Sequence, residues 1–250
     1  MNMNVRGNVL TPTQREDLTR LYERVSEYTH SIEFERRDWN ISPDGRHAIE
    51  VTENHDPWFG QDHYIVEATH LSSPPSSAIN PNLTGSKYYH HTGHVGEWYR
   101  RSAVSADGKT GWVERLYQGG LNEKWHFDIC QIDLDRGTSR PHTALSLDTS
   151  TSALASNPLD GSVAFSDGAQ VFRYDAKRGL GRTLAHIFNP KQGVTPLATL
   201  PSEVHSLGYL RDGSLAILPS DWESRCYILK PGSSELTEVP IETTGPQRIQ

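Results

Sequence analysis

The chain has 250 residues, 35% of them hydrophobic, and a formal net charge of −7 at pH 7, a size that suits one all-β domain. The negative charge and the lack of a Lys/Arg-rich block argue against a general role in nucleic-acid binding, and no apolar run is long enough to cross a membrane. The N-terminus lacks the apolar core of a signal peptide, and Cys130 and Cys226 are expected to be reduced core residues. We therefore expect a cytoplasmic protein.

One amphipathic helix is predicted near the N-terminus. Thr11 or Thr13 can act as its N-cap, and apolar side chains then recur at helical spacing at Leu18, Leu21, Tyr22, Val25 and Tyr28. Residues 1–30 are therefore assigned as an N-terminal segment and helix. The helix either packs on the rest of the domain as a lid or plug, or binds a partner or a second copy of the chain.

The body of the chain, residues 31–240, contains a fourfold repeat centred on Asp-Gly pairs. The pairs are Asp44-Gly45, Asp107-Gly108, Asp160-Gly161 and Asp212-Gly213. Asp-Gly between two apolar runs predicts a tight hairpin turn, because Gly adopts a positive φ without steric strain. After each turn a small residue precedes a large apolar one, at Ala48-Ile49, Gly111-Trp112, Ala164-Phe165 and Ala216-Ile217. Side chains alternate along a strand, so the small residues suggest close approach of neighbouring backbones on one face.

The spacing of the repeat is typical of propeller blades. Consecutive Asp-Gly pairs lie 63, 53 and 52 residues apart, close to the roughly 40–50 residues of a four-stranded blade once the insert described below is allowed for in the first interval. The sequence therefore predicts an all-β fold, a small β-propeller of four blades. A fifth, degenerate blade built from the N-terminal segment and the insert described below is an alternative, and so are ordinary hairpins in a β-sandwich.

The first copy contains Ser42-Pro43-Asp44-Gly45-Arg46 followed by a strand, a pattern that resembles the TolB-type propeller repeat. The resemblance is best in the first two copies and covers most of residues 32–239. It implies a propeller fold and little about activity, because such propellers serve both as binding domains and as enzyme scaffolds.

Residues 72–96 are predicted to be a loop inserted after the first copy, because their first half is rich in Pro, Ser, Asn and Gly. Long loops in compact domains are often functional, and the Tyr and His side chains that follow supply amphipathic contact area. The predicted binding residues are Tyr88, Tyr89, His90, His91, His94 and Trp98. Three histidines can in principle ligate a metal, but no acid or cysteine completes an established spacing. No metal and no cofactor are predicted.

Local enzyme motifs are missing. The chain has neither a Gly-x-Ser-x-Gly nucleophile elbow nor a phosphate-binding Gly-x-x-x-x-Gly-Lys. An acidic residue precedes Trp in Asp38-Trp39, Glu97-Trp98 and Asp221-Trp222, which suits either a sugar-processing site or core tryptophans beside solvated acids. Because propeller active sites are assembled from separate blades, the missing motifs weaken the enzyme hypothesis and leave it open.

We expect a non-enzymatic propeller that binds another protein through one rim, with the insert as part of the contact. An inhibitor, such as an immunity protein that neutralises a toxin, or an assembly adaptor would suit its size and charge. The alternative is a carbohydrate- or small-molecule-active enzyme with its site at the mouth of the propeller channel. Residues 241–250 are predicted to be a flexible tail.

Overall fold

The computed structural model of the chain describes residues 2–5, 10–28, 37–42, 44–56, 61–72, 85–94, 96–119, 124–137, 140–175, 193–222 and 224–244. They form one α-helix, α1 (Pro12–Tyr28), and strands arranged in four antiparallel sheets. We call these sheets blades one to four in chain order. The prediction of an all-β, four-bladed propeller with one N-terminal helix is confirmed.

Each blade uses consecutive strands. Blade one contains β2 (Arg37–Ile41), β3 (His47–Asp56), β4 (Gln61–Leu71) and β5 (Gly85–Thr92). Blade two contains β6 (Glu97–Val104), β7 (Thr110–Gly119), β8 (Lys124–Asp133) and β9 (His142–Leu147). Blade three contains β10 (Leu154–Ser156), β11 (Val163–Asp167), β12 (Gln170–Tyr174) and β13 (Val194–Thr199). Blade four contains β14 (Val204–Tyr209), β15 (Leu215–Pro219), β16 (Arg225–Leu229) and β17 (Leu236–Thr244), and β1 (Asn2–Val5) pairs with β17 as a fifth strand.

The Asp-Gly pairs form the predicted turns between the first and second strands of each blade. Their glycines have φ values of 74, 69, 72 and 82° in chain order. In the second turn, the Asp107 carboxylate accepts hydrogen bonds from the Ser105 hydroxyl at 2.6 Å and from the Lys109 N–H at 3.1 Å. In the fourth turn, Asp212 accepts them from the N–H and hydroxyl of Ser214. The first turn matches the second and the third matches the fourth, so the repeat consists of two pairs.

Three hydrophobic clusters join neighbouring blades. Blades one and two share a cluster that includes Ile49 and Val113, and blades two and three share one that includes Trp112 and Phe165. Blades three and four share a cluster that includes Ile217. The large apolar residues that follow the Asp-Gly turns are therefore core residues. At Gly111 an added Cβ would lie 3.0 Å from the Ile49 side chain, which is the close approach expected at the small residues.

A fourth cluster joins blade four to α1 instead of to blade one. The helix contributes Leu18, Leu21, Tyr22 and Val25, and the Tyr22 hydroxyl donates a hydrogen bond to the Trp222 carbonyl at 2.8 Å. Thr11 is the N-cap: its hydroxyl accepts the Gln14 N–H at 3.2 Å, and the Gln14 side chain accepts the Thr11 N–H at 2.9 Å. The packing of these four helix residues against blade four agrees with the first of the two predicted roles of α1.

The interpretation of residues 72–96 as a loop is wrong in its second half. Residues 85–92 are β5, the outermost strand of blade one, and β5 pairs with β4 from Ile65↔Thr92 to Leu71↔Gly85. The sequence of this strand is polar because one of its faces is exposed, so its composition resembled that of a loop. Residues 73–84 and 95 lie outside the described residues.

The boundary of the predicted C-terminal tail also differs. The predicted tail begins at residue 241, but β17 continues to Thr244 because β1 pairs with it, and only residues 245–250 lie beyond the description. Over the described residues, β1 joins blade four and β5 joins blade one, so neither builds a fifth blade.

Cys130 and Cys226 are both buried and free, as the sequence indicates. Burial raises the pKa of each thiol to about 12. No helix in the described part of the chain has the length and apolar character needed to cross a membrane.

Candidate functional site

Tyr88, Tyr89 and His91 are held in the sheet of blade one. Tyr89 and His91 are 1% and 8% exposed, and Tyr89 belongs to the cluster between blades one and two. The Tyr88 hydroxyl donates to the Gly108 carbonyl at 2.9 Å, and its ring stacks on His70 with centroids 3.9 Å apart. Burial raises the pKa of both tyrosines and lowers the pKa of His91. These side chains brace the blade, and a partner at the surface has little access to Tyr89 or His91.

His90 points to the opposite side of the strand from His91. Its Nδ1 lies 3.0 Å from the Glu67 carboxylate, which also accepts a hydrogen bond from Lys87 at 2.5 Å. These bonds hold the pKa of Glu67 below its usual range despite partial burial. The alternation of β5 therefore separates two of the three clustered histidines. In the described ranges no group of three potential ligands is arranged to hold a metal ion.

His94 and Trp98 lie at the end of blade two that is remote from its Asp-Gly turn. The His94 N–H is 3.3 Å from the Glu97 carboxylate. Trp98 packs against Trp125 at the start of β8, with ring centroids 4.9 Å apart and an interplanar angle of 56°. Trp125 is 48% exposed, so an apolar ring surface meets solvent here. Of the predicted binding residues, Trp98 is the one beside an exposed aromatic surface.

A second aromatic pair lies at the same end of blade two. Tyr117 and His126 stack with centroids 4.9 Å apart. The Arg115 guanidinium lies 4.8 Å from the Tyr117 centroid and 2.7 Å from the buried Asp128 carboxylate. We call Trp98, Trp125, Tyr117 and His126 the aromatic rim. The strands that carry the aromatic rim are paired, and the Arg115 and Asp128 charges beside it form an ion pair. The aromatic rim is therefore a preorganised surface.

The centre of the ring contains a cavity of about 70 Å³. Every blade contributes to its wall, and α1 contributes Val25. The polar side chains that matter for its chemistry are Asp38, Asn40, Arg101, Ser152, His205 and Ser206. A channel lined only by apolar and small residues would have argued against a small-molecule site, and this lining also includes charged and polar residues.

Arg101 has an unusual backbone. Its φ is +49°, and no other non-glycine residue in the described ranges has a positive φ. The pairing of β6 with β7 shifts register between Arg100 and Ser102, which is a β-bulge at this position. Bulges re-aim side chains and are common next to functional sites, and strained residues persist where their surroundings hold them. Beside the bulge, the N–H and hydroxyl of Ser102 donate to the Asp38 carboxylate at 2.5 and 2.7 Å, which ties blade two to blade one.

His205 enters the cavity from blade four. Its ring is parallel to that of Trp222, with centroids 6.0 Å apart. Burial and the charge of Arg101 lower the pKa of His205, so the imidazole is neutral near pH 7. Ser152 is fixed nearby, because its hydroxyl donates to the Val204 carbonyl at 2.7 Å. The cavity thus combines one guanidinium, one carboxylate that is already hydrogen-bonded, a neutral imidazole and several hydroxyls.

The sequence interpretation singled out Asp38 beside Trp39 but missed Arg101 and His205. The repeat contains a signal that finds one lining residue in each blade. The residue six positions before each Asp of the Asp-Gly pairs lines it, and these residues are Asp38, Arg101, Leu154 and Ser206. The first strand of a propeller blade runs along the channel, so the register of the turn fixes which residue faces the centre.

No protein-family model and no curated protein matches the sequence. Among solved structures, the chain is similar to the β-propeller domain of the trilobed protease from Pyrococcus furiosus, with 10% identity and a TM-score of 0.43 over 82% of this chain and 57% of that one. It is also similar to Pyrococcus horikoshii acylaminoacyl peptidase (11% identity, TM-score 0.43, 85% and 33% covered) and to a dihydro-heme d1 dehydrogenase (16%, 0.40, 83% and 37%). The chain therefore spans between a third and about three fifths of these proteins, and its fold is assigned from its own sheet topology.

Proposed function

We propose that this propeller is a non-enzymatic binding protein that contacts another protein through the aromatic rim of blade two. The observation that carries the proposal is the Trp98–Trp125 pair, in which the partly buried Trp98 supports the exposed Trp125. Trp125 and Leu159 are the large hydrophobic side chains that the described part of the chain leaves exposed, at 48% and 64%. Leu159 lies beside the third Asp-Gly turn and close to Gly213 of the fourth, whereas Trp125 is supported by a second aromatic ring.

Tryptophan is enriched among the residues that dominate protein interfaces, because it buries a large area at a small cost in conformational entropy. The aromatic rim adds polar groups around the rings, which is the usual composition of an interface with an apolar centre. The net charge of −7 favours a basic partner through electrostatic steering. An inhibitor such as an immunity protein, or an assembly adaptor, fits this description, and the cytoplasm fits the two free, buried thiols.

The test compares two exposed apolar positions. Wild-type protein, Trp125→Ala and Leu159→Ala are used as baits in cell extract, and the proteins they retain are quantified by mass spectrometry. We expect a partner retained by wild type and Leu159→Ala but not by Trp125→Ala. Against the purified partner, Trp125→Ala should weaken binding by about 30-fold or more, the effect of a hot-spot residue worth about 2 kcal/mol. A partner that binds Trp125→Ala as tightly as wild type contradicts the proposal.

The TolB-type identity of the repeat is also a proposal. It is supported by the shared turn of blades one and two, in which Ser42 and Ser105 donate to the aspartates two positions later at 2.5 and 2.6 Å.

A second candidate function is a small-molecule site in the channel. It is favoured by the charged and titratable residues in the lining of the cavity, Asp38, Arg101 and His205, which come from three different blades. Binding is the activity that this lining supports. No bond-breaking step is assigned to these groups.

A further inference from the structure

We infer that His47 and His70 form a binding site for a zinc ion on the surface of blade one. Both imidazoles bind the ion through Nδ1, and water completes its coordination. The inference goes beyond the proposed function, because neither histidine belongs to the aromatic rim or lines the channel cavity. It gives the propeller a structural metal site.

The first support is the geometry of the histidine pair. His47 and His70 lie directly opposite each other on β3 and β4, and their Nδ1 atoms are 3.2 Å apart. A tetrahedral zinc ion with Zn–N bonds of about 2.0–2.1 Å holds two ligand atoms about 3.3–3.4 Å apart. The two nitrogens are therefore almost at the separation that zinc requires.

The second support is that both rings are already held in place. The His70 ring stacks on Tyr88 with centroids 3.9 Å apart, and the Tyr88 hydroxyl donates to the Gly108 carbonyl at 2.9 Å. The His47 ring lies against Gly108 so closely that an added Cβ would overlap it. Ligands that are fixed before binding lose little conformational entropy when they bind, so this packing favours the site.

The third support is the protonation and charge of the surroundings. Zinc binds neutral imidazole. Burial lowers the pKa of His47, so this ring is neutral near pH 7. The carboxylates of Asp44 and Asp107 oppose this lowering of the pKa, whereas His70 and Arg46 contribute to it. Two carboxylates and one guanidinium leave a net negative charge beside the neutral pair, which favours a bound cation.

The ion replaces a hydrogen bond between the two rings. When two neutral imidazoles meet through Nδ1, one Nδ1 carries a proton and the other accepts it. On zinc binding this proton moves through solvent to Nε2 of its own ring, so both Nδ1 lone pairs face the ion and both rings stay neutral. Because the described ranges contain no group of three potential ligands, water occupies the other two tetrahedral positions.

The experiment titrates the full chain with zinc chloride at pH 7 in a buffer that does not bind zinc. Calorimetry measures the affinity, and thermal unfolding measures the stabilisation. We expect saturable binding, a Tm that rises with zinc concentration, and shifted imidazole NMR signals of His47 and His70. His47→Gln and His70→Gln should each bind zinc at least about 10-fold more weakly, since the loss of even an outer-shell partner costs about 10- to 100-fold.

The variants separate folding from binding. His70 is exposed, so His70→Gln is the second variant if His47→Gln fails to fold. His90→Gln removes an exposed histidine of the neighbouring strand β5 and should bind zinc like wild type. Trp125→Ala should also keep zinc binding, whatever its effect on protein partners. No saturable zinc binding, unshifted His47 and His70 signals, or wild-type affinity in either of the two glutamine variants of the pair overturns the inference.

Discussion

Truncation of Leu18 to Ala tests whether α1 is part of the propeller. Leu18 is 0% exposed and lies in the cluster between the helix and blade four, which includes Trp222. A Leu→Ala change at such a site costs about 2–5 kcal/mol, because it removes buried apolar surface and leaves a cavity. A loss of about 3 kcal/mol corresponds to a decrease in Tm of roughly 6–12 °C for a domain of this size. Urea unfolding followed by tryptophan fluorescence measures the free energy of unfolding directly.

The control is Arg20→Ala on the exposed side of the same helix. Arg20 makes an ion pair with Glu16 at 2.8 Å, both side chains being about half exposed, and such i,i+4 pairs contribute about 0.3–0.5 kcal/mol. If Leu18→Ala is no less stable than Arg20→Ala, the helix does not belong to the cooperative unit. If α1 instead binds a second copy of the chain, which is its other predicted role, the Tm will depend on protein concentration.

Two further predictions concern stability. Gly161→Ala should lose about 1–2 kcal/mol of unfolding free energy, because its φ is +72°. Nothing lies within 4 Å of the added Cβ, so this loss comes from backbone strain alone. Gly108→Ala should lose about 1–3 kcal/mol more, since its Cβ would lie 2.2 Å from the His47 ring, and equal losses in urea unfolding would contradict this packing. Burial raises the pKa of Glu114 above its ordinary 4.5, so the native state binds the proton more tightly, and stability falls as pH rises from about 4.5 through the folded pKa. Glu114→Gln should flatten that part of the pH profile of unfolding free energy, and an unchanged slope would assign it to other groups.

The scaffold could be predicted from the sequence because it depends on local chemistry. The four Asp-Gly turns, the small and large residues that follow them, and the stripe of apolar residues on α1 are all short-range patterns, and the structure contains them. The outer strands could not be predicted in the same way. β5 is half exposed and its Tyr89 and His91 are buried only because blade two packs against them, which is a tertiary effect that local composition does not contain.

The cavity shows why a repeat can indicate the place of a site without indicating its chemistry. Four equivalent positions face the channel, yet they hold an acid, an arginine, a leucine and a serine, at Asp38, Arg101, Leu154 and Ser206. The aspartates of the turns accept the same hydrogen bonds within each of the two pairs of blades, because every blade forms a hairpin at this point. The shared hairpin does not require the strained arginine, since the other three equivalent positions have no positive φ. The difference between equivalent positions, more than the repeat itself, is therefore what supports the second candidate function.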